Sequence, residues 1–198
     1  MDNENLIELK VLGITRSEVQ PGAYALLLEN ADSTPDVARR IPIVVGAAEA
    51  QSIAVFLEQV TPSRPLTHDL FVSLFHIYGI ELRKVVIYSF KDGVFAAMLY
   101  ASNGTTNVEI DSRTSDAIAI ALRTGAPIFT TPEVMEHTSY EWRRDGNYKP
   151  HRPVRLEDLP LEKLERRLQH YVDKEEYERA AKIQKIIAQR TNGGQSGE

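Results

Sequence analysis

Two carboxylates, a guanidinium and three hydroxyl groups occur within six consecutive residues, Asp111-Ser112-Arg113-Thr114-Ser115-Asp116. The residues before this segment alternate as in a β-strand, and the Ala- and Ile-rich residues after it are typical of a helix. A helix start exposes N–H groups and favours negative charge nearby, so such a junction can hold a phosphate or its counter-ion. Asp111 and Asp116 are therefore candidate catalytic residues and candidate ligands of Mg²⁺ or Mn²⁺, and Arg113 and Ser115 are candidate substrate-binding residues.

A purely structural interpretation of the same junction stays open. Thr114 or Ser115 would cap the helix, Asp116 would lie favourably in its first turn, and Asp111 would form a local ion pair with Arg113. Both interpretations need the same residue types at the same positions, so the sequence does not separate them.

A second polar group precedes a short amphipathic helix, in the sequence Arg64-Pro65-Leu66-Thr67-His68-Asp69-Leu70. Thr67 is the predicted helix cap, which places His68 and Asp69 in the first turn, at the positive end of the helix. There His68 can protonate a leaving group, with Asp69 as a second catalytic acid and Thr67 as a substrate-binding hydroxyl. A histidine beside a helix cap is also a common surface residue, and this alternative stays open.

The composition is that of a globular protein without a membrane segment. Of the 198 residues, 42% are hydrophobic and 26% are charged, and no apolar run approaches membrane-spanning length. The absence of cysteine excludes a disulfide framework, a thiolate zinc site and a cysteine nucleophile, and it favours a cytoplasmic location. The net charge of -5 argues against non-specific binding to nucleic acid, so local basic groups or a bound cation would have to attract such a substrate.

One pattern, three predicted strands followed by a helix, occurs twice in the chain. A constant shift superposes Ile41 on Val108 and Glu49 on Asp116. We therefore predict an internal duplication of a strand-strand-strand-helix unit whose two copies pack as one α+β domain. Only the second copy carries the further acid and the arginine of the junction, so the site is assigned mainly to that copy.

Strands are predicted at Leu6 to Ile14, Tyr24 to Leu28, Arg40 to Val45, Val85 to Phe90, Val94 to Tyr100 and Thr106 to Ile110, with a short one at Pro127 to Phe129. A helix is predicted at Ala47 to Val60, a second after Thr67 and a third after Ser115. In the second helix, apolar residues at helical spacing predict one apolar face, formed by Leu70, Phe71, Leu74, Phe75 and Tyr78.

The predicted α+β domain occupies residues 1–144, and a linker rich in Pro and charge follows at residues 145–160. Residues 161–190 show two short apolar stripes separated by polar residues, which predicts two helices folded into a hairpin. Such a hairpin has little core of its own, so it is expected to associate with another copy or another protein. Residues 191–198 are predicted to be a flexible tail.

The chain from about Leu6 to Tyr140 resembles the bifunctional nuclease domain. The resemblance is carried by the segment Arg64 to Leu70 and by Asp111-Ser112-Arg113-Thr114-Ser115-Asp116-Ala117-Ile118-Ala119, followed by Pro127-Ile128. This family is associated with hydrolysis of both RNA and DNA, and the resemblance implies an α+β fold and a homodimer. The family usually has Pro at the position of Thr114.

Residues 161–190 resemble the UVR motif of the excision-repair proteins UvrB and UvrC. Tyr177-Glu178-Arg179-Ala180-Ala181 carries this resemblance, whereas Gln184-Lys185 replaces the Arg-Asp pair that the motif usually has. The resemblance implies a helical hairpin used for protein association, so a protein partner is expected at Leu161 to Arg190.

The leading hypothesis is a nuclease that hydrolyses phosphodiester bonds of RNA, DNA or both, assisted by Mg²⁺ or Mn²⁺. Asp111, Asp116, Asp69 and His68 would be its catalytic residues. The alternative is a non-enzymatic dimeric adaptor that recruits a repair or quality-control partner through the hairpin. A third possibility is an enzyme that binds nucleotides or small phosphoesters at the same junction.

Overall fold

The computed structural model describes residues 6–17, 20, 22–34, 36–143, 161–173 and 177–193. The chain divides into two units, residues 1–151 and residues 152–198. The predicted linker at residues 145–160 lies outside the described residues, as do the last five residues of the predicted tail.

The first unit contains β1 (Ile7–Arg16), β2 (Tyr24–Asn30), β3 (Val37–Val45), α1 (Ala47–Leu57), α2 (Thr67–Ile77), β4 (Glu81–Lys91), β5 (Val94–Ser102), β6 (Asn107–Arg113), α3 (Thr114–Thr124), β7 (Ile128–Thr130), α4 (Pro132–Thr138) and β8 (Tyr140–Arg143). The second unit contains α5 (Leu161–Asp173) and α6 (Tyr177–Gly193).

The eight strands form one sheet in the order β6-β5-β4-β7-β1-β2-β3-β8. Neighbouring strands are antiparallel except for β4 and β7, which are parallel. The two predicted copies, β1-β2-β3-α1 and β4-β5-β6-α3, form two antiparallel halves of this sheet, and β7 joins them. The predicted α+β fold is therefore confirmed, with strands of both copies in one continuous sheet.

Helix α3 is the centre of the helical layer, since it contacts α1, α2, β4 and β5. Its alternating small and branched residues are buried from Ala117 to Ala121, and small side chains allow the helix to lie close to the strands. Gly125 ends α3 in a left-handed conformation with φ 71°, which glycine adopts without strain. The largest fully buried side chains of this core are Leu26, Leu28, Ile41, Ile53, Val85, Ile87, Leu99, Ile118 and Met135.

Most of the apolar face predicted for α2 is exposed. Phe75 is buried together with Val72, but Leu70 is 59% exposed and Tyr78 is 71% exposed. The reason is that α2 contacts the rest of the unit mainly through α3 and so has one narrow buried stripe. The remaining apolar side chains of this helix face outward.

Several element boundaries and one strand also differ from the prediction. Helix α1 ends at Leu57 instead of Val60. Strand β8 was not predicted because its four residues are too short for a period to be recognised. It pairs with the edge strand β3, and the guanidinium of Arg40 lies 4.0 Å from the ring centre of Trp142. Trp142 therefore packs against a side chain of the neighbouring strand.

In the second unit, α5 and α6 pack against each other around the buried side chains of Leu164 and Ile183. These two helices are the predicted hairpin. Helix α6 continues to Gly193 rather than ending at Arg190. None of the helices in the described residues is both long and apolar enough to cross a membrane.

Candidate active site

A cavity of about 310 Å³ lies where the N-terminal ends of α1, α2 and α3 converge. Its walls are formed by Ala48, Glu49, Gln51, Ser52, Leu66, Thr67, His68, Arg113 and Asp116. Every one of these residues lies in the first two turns of a helix or just before one. Helix N-termini carry partial positive charge and unpaired N–H groups, so three of them around one cavity favour an anionic ligand.

Arg113 joins the two copies of the duplicated unit across this cavity. Its Nε and Nη2 atoms donate to the two oxygens of Asp116 at 2.7 and 3.0 Å, and its Nη1 donates to Oε1 of Glu49 at 2.8 Å. The acids at the equivalent helix starts of both copies therefore meet at one guanidinium, whereas the sequence assigned the candidate site mainly to the second copy. The Arg113 side chain is 68% exposed, so these ion pairs lie at the surface of the protein.

Asp116 is held as a carboxylate by its neighbours. Burial raises the pKa of Asp116, but hydrogen bonds from Arg113 and His68 outweigh burial, so its pKa lies below the ordinary value of 3.8. The Nε2 atom of His68 is 3.1 Å from Oδ1 of Asp116. The opposite ring nitrogen, Nδ1, is 2.8 Å from Oγ of Ser52, so both nitrogens of His68 are engaged.

Arg123 lies behind the cavity and connects the same three helices. Its side chain is only 6% exposed. Nε donates to Oδ1 of Asp69 at 2.5 Å, Nη1 donates to the carbonyl of Ala119, and Nη2 donates to both the carbonyl and Oγ of Ser52 at 3.1 Å. The hydrogen bond from Arg123 lowers the pKa of Asp69, although burial opposes this. Asp69 is thereby engaged in binding Arg123.

The N-terminus of α2 differs from its prediction in one respect. Leu66, not Thr67, is the N-cap residue, and Oδ2 of Asp69 accepts the backbone N–H of Leu66 at 2.7 Å. Thr67 is therefore the first helical residue, and it lines the cavity. Because Asp69 both caps α2 and binds Arg123, it fixes the position of His68 one residue earlier.

The predicted caps of α3 are also wrong. Arg113 is the N-cap residue, and no side chain caps this end of the helix. Thr114 and Ser115 are both buried, and neither lines the cavity. The hydroxyl of Thr114 has no hydrogen-bond partner, so the first residue of α3 contains a buried unsatisfied polar group.

Asp111 has a different environment from Asp116. Its Oδ1 accepts the hydroxyl hydrogen of Tyr88 at 3.0 Å, and this bond raises the pKa of Tyr88. Asp111 is not among the residues that line the cavity. Across the described parts of the chain, no group of three or more His, Asp or Glu side chains is arranged to hold a metal ion. The predicted pairing of Asp111 with Asp116 around a metal stays a prediction without support from the donor geometry.

The structure thus brings His68, Asp116, Arg113 and Thr67 of the predicted site residues into one cavity. Sequence reasoning missed Glu49, Ser52 and Arg123. Glu49 was superposed on Asp116 by the duplication, and that correspondence was the available signal. No nearby sequence motif marks Ser52 or Arg123 as a site residue, because only the packing of α1 on α3 brings them to His68 and Asp69.

Comparison with known proteins supports the first of the two family resemblances, and the UVR motif stays a prediction. Residues 26–143, more than half of the chain, match the family model of the bifunctional nuclease domain. Two uncharacterized proteins of Mycobacterium tuberculosis, from strains CDC 1551 / Oshkosh and ATCC 25618 / H37Rv, are each 38% identical to the chain over 128 residues. The aligned region covers 65% of this chain and 73% of each relative.

Proposed function

The chain belongs to the bifunctional nuclease domain family, and from this premise we propose that it hydrolyses phosphodiester bonds of RNA, DNA or both in the cavity between α1, α2 and α3. The observation that carries the proposal is the contact of His68 with Asp116 beside Arg113 in a 310 Å³ cavity. A proton-transfer group, a carboxylate that orients it and a phosphate-binding cation are the groups that phosphoryl transfer needs.

Arg113 is suited to bind the phosphate of the substrate. It uses three of the five N–H groups of its guanidinium for Asp116 and Glu49, which leaves two that can donate to phosphate oxygens. The two carboxylates hold the guanidinium at the cavity although its side chain is mostly exposed. The helix N-termini around the cavity add further attraction for an anion.

His68 is the group that moves a proton in this proposal. It is mostly buried, with 13% of its side chain exposed, and Asp116 fixes the orientation of its ring. A carboxylate bound to one ring nitrogen stabilises the imidazolium formed when the other nitrogen takes up a proton. The leaving oxygen of the substrate can then receive this proton from His68.

The binding of Mg²⁺ or Mn²⁺ at this site remains a prediction. Glu49 and Asp116 together carry one negative charge more than Arg113 supplies, and a bound divalent cation would offset it. However, Arg113 already binds both oxygens of Asp116 and Oε1 of Glu49, and no three-ligand group is found in the part of the chain that the structure describes. The residues present do not fit a resident metal ion, and the roles given to Arg113 and His68 need none.

The test is cleavage of labelled single-stranded RNA and DNA by the purified protein, with and without a chelator. We expect Asp116→Asn to lower the rate by about 10²-fold or more, because it removes the charge that orients His68 and Arg113. Asp111→Asn is the matched control, since Asp111 lies outside the cavity, and its loss should leave most of the activity. Equal activity of wild-type and Asp116→Asn protein would contradict the proposal.

A second candidate function, a dimeric adaptor, is favoured by exposed apolar side chains. On α2, Ile77 is 74% exposed and Tyr78 is 71% exposed, which supports a homodimer through this helix. On the hairpin, Tyr177 is 66% exposed and Val172 is 42% exposed, which supports a protein partner there. Deletion of residues 161–198 separates the two functions, because a nuclease keeps turnover of short oligonucleotides and an adaptor loses its partner.

A further inference from the structure

Ser52, His68 and Asp116 form a continuous series of hydrogen bonds, and we propose that Ser52 is a nucleophile activated by His68 and Asp116. Ser52 Oγ lies 2.8 Å from His68 Nδ1, and His68 Nε2 lies 3.1 Å from Asp116 Oδ1. A nucleophile within hydrogen-bond reach of a base, with the base oriented by a third group, is the arrangement that covalent catalysis requires. The substrate class, a phosphodiester, rests on the proposed function.

The direction of each proton follows from Arg123 and Asp116. A guanidinium only donates hydrogen bonds, so Ser52 Oγ must accept from Nη2 of Arg123, 3.1 Å away. The hydroxyl hydrogen of Ser52 is then free to point at Nδ1 of His68. The Asp116 carboxylate only accepts hydrogen bonds, so neutral His68 carries its proton on Nε2, and its Nδ1 accepts the hydroxyl hydrogen of Ser52. The series runs in one direction, from Ser52 to His68 to Asp116.

Arg123 also favours the negative charge that develops on Ser52 Oγ when its proton leaves. The guanidinium is 6% exposed, so water screens its charge weakly. Ser52 itself is 5% exposed but belongs to the lining of the cavity, so its oxygen is both shielded and adjacent to the space for a substrate. An oxygen in this position is more nucleophilic than an ordinary serine hydroxyl.

Other serines of the protein show what a structural serine does here. Ser73 and Ser139 each donate to the backbone carbonyl four residues earlier, and Ser112 donates to a carbonyl of the neighbouring strand. Serines in helices commonly form such bonds to the preceding turn. The hydrogen-bond partners of the Ser52 hydroxyl are instead the side chains of His68 and Arg123.

The proposed reaction has two balanced steps. In the first, Ser52 Oγ forms a bond to phosphorus as the bond to the leaving oxygen breaks; the hydroxyl proton passes to His68 Nδ1 and then to the leaving oxygen. In the second, water attacks the phosphorus, its proton passes through His68 to Ser52, and the Ser52–phosphorus bond breaks. The sum is hydrolysis of one phosphodiester bond, with all three side chains restored.

A fluorophosphonate probe tests the nucleophile without a nucleic-acid substrate. Ser52 attack would form an oxygen–phosphorus bond and release fluoride, and intact-protein and peptide mass spectrometry would locate the adduct. We expect labelling at Ser52 in wild-type protein, loss of this label in Ser52→Ala, at least tenfold slower labelling in Asp116→Asn and unchanged labelling in Ser73→Ala. Ala has the higher helix propensity, so Ser52→Ala is expected to fold. No adduct at Ser52 in the wild-type protein would overturn the inference.

The Ser52→Cys variant supplies a second test, because the chain has no other cysteine. The thiolate is the reactive form, so its rate of alkylation by iodoacetamide across pH reports the pKa of the thiol. We expect half-maximal reactivity below the ordinary thiol pKa of about 8.5, and an ordinary profile for the exposed Ser73→Cys control. Equal profiles for the two variants would overturn the inference.

Nuclease assays separate failure of this inference from failure of the proposed function. If Ser52→Ala cleaves RNA or DNA as fast as the wild type, the nuclease proposal stands and Ser52 is not its nucleophile. If the wild type cleaves neither polymer but Ser52 reacts with the probe, the activated serine stands and its substrate is not a nucleic acid. Loss of cleavage in Ser52→Ala, with unchanged circular dichroism, supports both.

Discussion

Replacing Arg123 by methionine tests whether a buried guanidinium holds the three helices of the cavity together. Arg123→Met keeps an apolar side chain of considerable length but removes the guanidinium donors to Asp69 and to Ser52 Oγ. The two helix carbonyls that Arg123 also contacts have other possible partners, so the main losses are these two bonds. A hydrogen bond from a charged group contributes about 1.5–3 kcal/mol. Since Asp69 keeps its bond to Leu66 N and is one-third exposed, we expect the low end, about 3 kcal/mol in total.

Arg113→Met is the matched control for this substitution. Arg113 also binds two acids, but its side chain is 68% exposed, and exposed ion pairs contribute about 0–1 kcal/mol each. At about 2–4 °C per kcal/mol, Arg123→Met should lower the melting temperature by about 6–12 °C and Arg113→Met by about 0–8 °C, less than Arg123→Met at either conversion. Thermal and urea unfolding of the two variants and the wild type measure the difference. Equal shifts for both variants would refute the assignment of Arg123 as the buried connection.

The stability difference between the wild type and Arg123→Met should also depend on pH. The pKa of Asp69 is lowered in the folded state by the hydrogen bond from Arg123. A lowered acid pKa contributes stability above the unfolded value of about 3.8, and this contribution is lost as the pH falls through the folded value. The stability difference between wild type and Arg123→Met should therefore be full at pH 7 and should shrink below about pH 4. A difference that grows in acid would contradict this origin.

Three further changes have defined outcomes. Thr114→Val should raise the free energy of unfolding by about 1 kcal/mol in urea titrations, because it removes a buried hydroxyl without a partner; Thr114→Ser keeps the hydroxyl and should bring no gain. Asp116→Asn should lower kcat for oligonucleotide cleavage by about 10²-fold or more with unchanged circular dichroism, and a wild-type kcat would exclude it from catalysis. If the proposed homodimer forms through α2, Ile77→Glu should make it monomeric in analytical ultracentrifugation, whereas Val94→Glu, similarly exposed on the β4–β5 hairpin, should leave it dimeric; an Ile77→Glu dimer would exclude α2 as the interface.

Much of the fold was predictable because it rests on local patterns. The strand alternation, the turns at glycine and the repeated strand-strand-strand-helix order each show in a short window of sequence. The buried face of α2 was not predictable, since its apolar residues greatly outnumber those that α3 can cover. The sequence shows that a side chain is apolar, but the neighbouring elements decide whether it is buried.

The candidate site was predictable in part for the same reason. His68, Arg113 and Asp116 lie in motifs with a clear helix start, and they meet in the cavity. Ser52 and Arg123 lie in the middle of one helix and the last turn of another, and only tertiary packing joins them. The wrong helix caps have a local cause, because Asp69 and not Thr67 satisfies the backbone at the start of α2.

The most direct test of the central claim compares two histidines of the same helix. His68 lines the cavity and contacts Asp116, whereas His76 is exposed in the last turn of α2. The measurement is the single-turnover rate of cleavage of labelled single-stranded RNA and DNA by wild type, His68→Gln and His76→Gln. We predict wild-type rates for His76→Gln and a rate lower by about 10²-fold or more for His68→Gln. Cleavage by His68→Gln at the wild-type rate would contradict the claim that this cavity hydrolyses phosphodiesters.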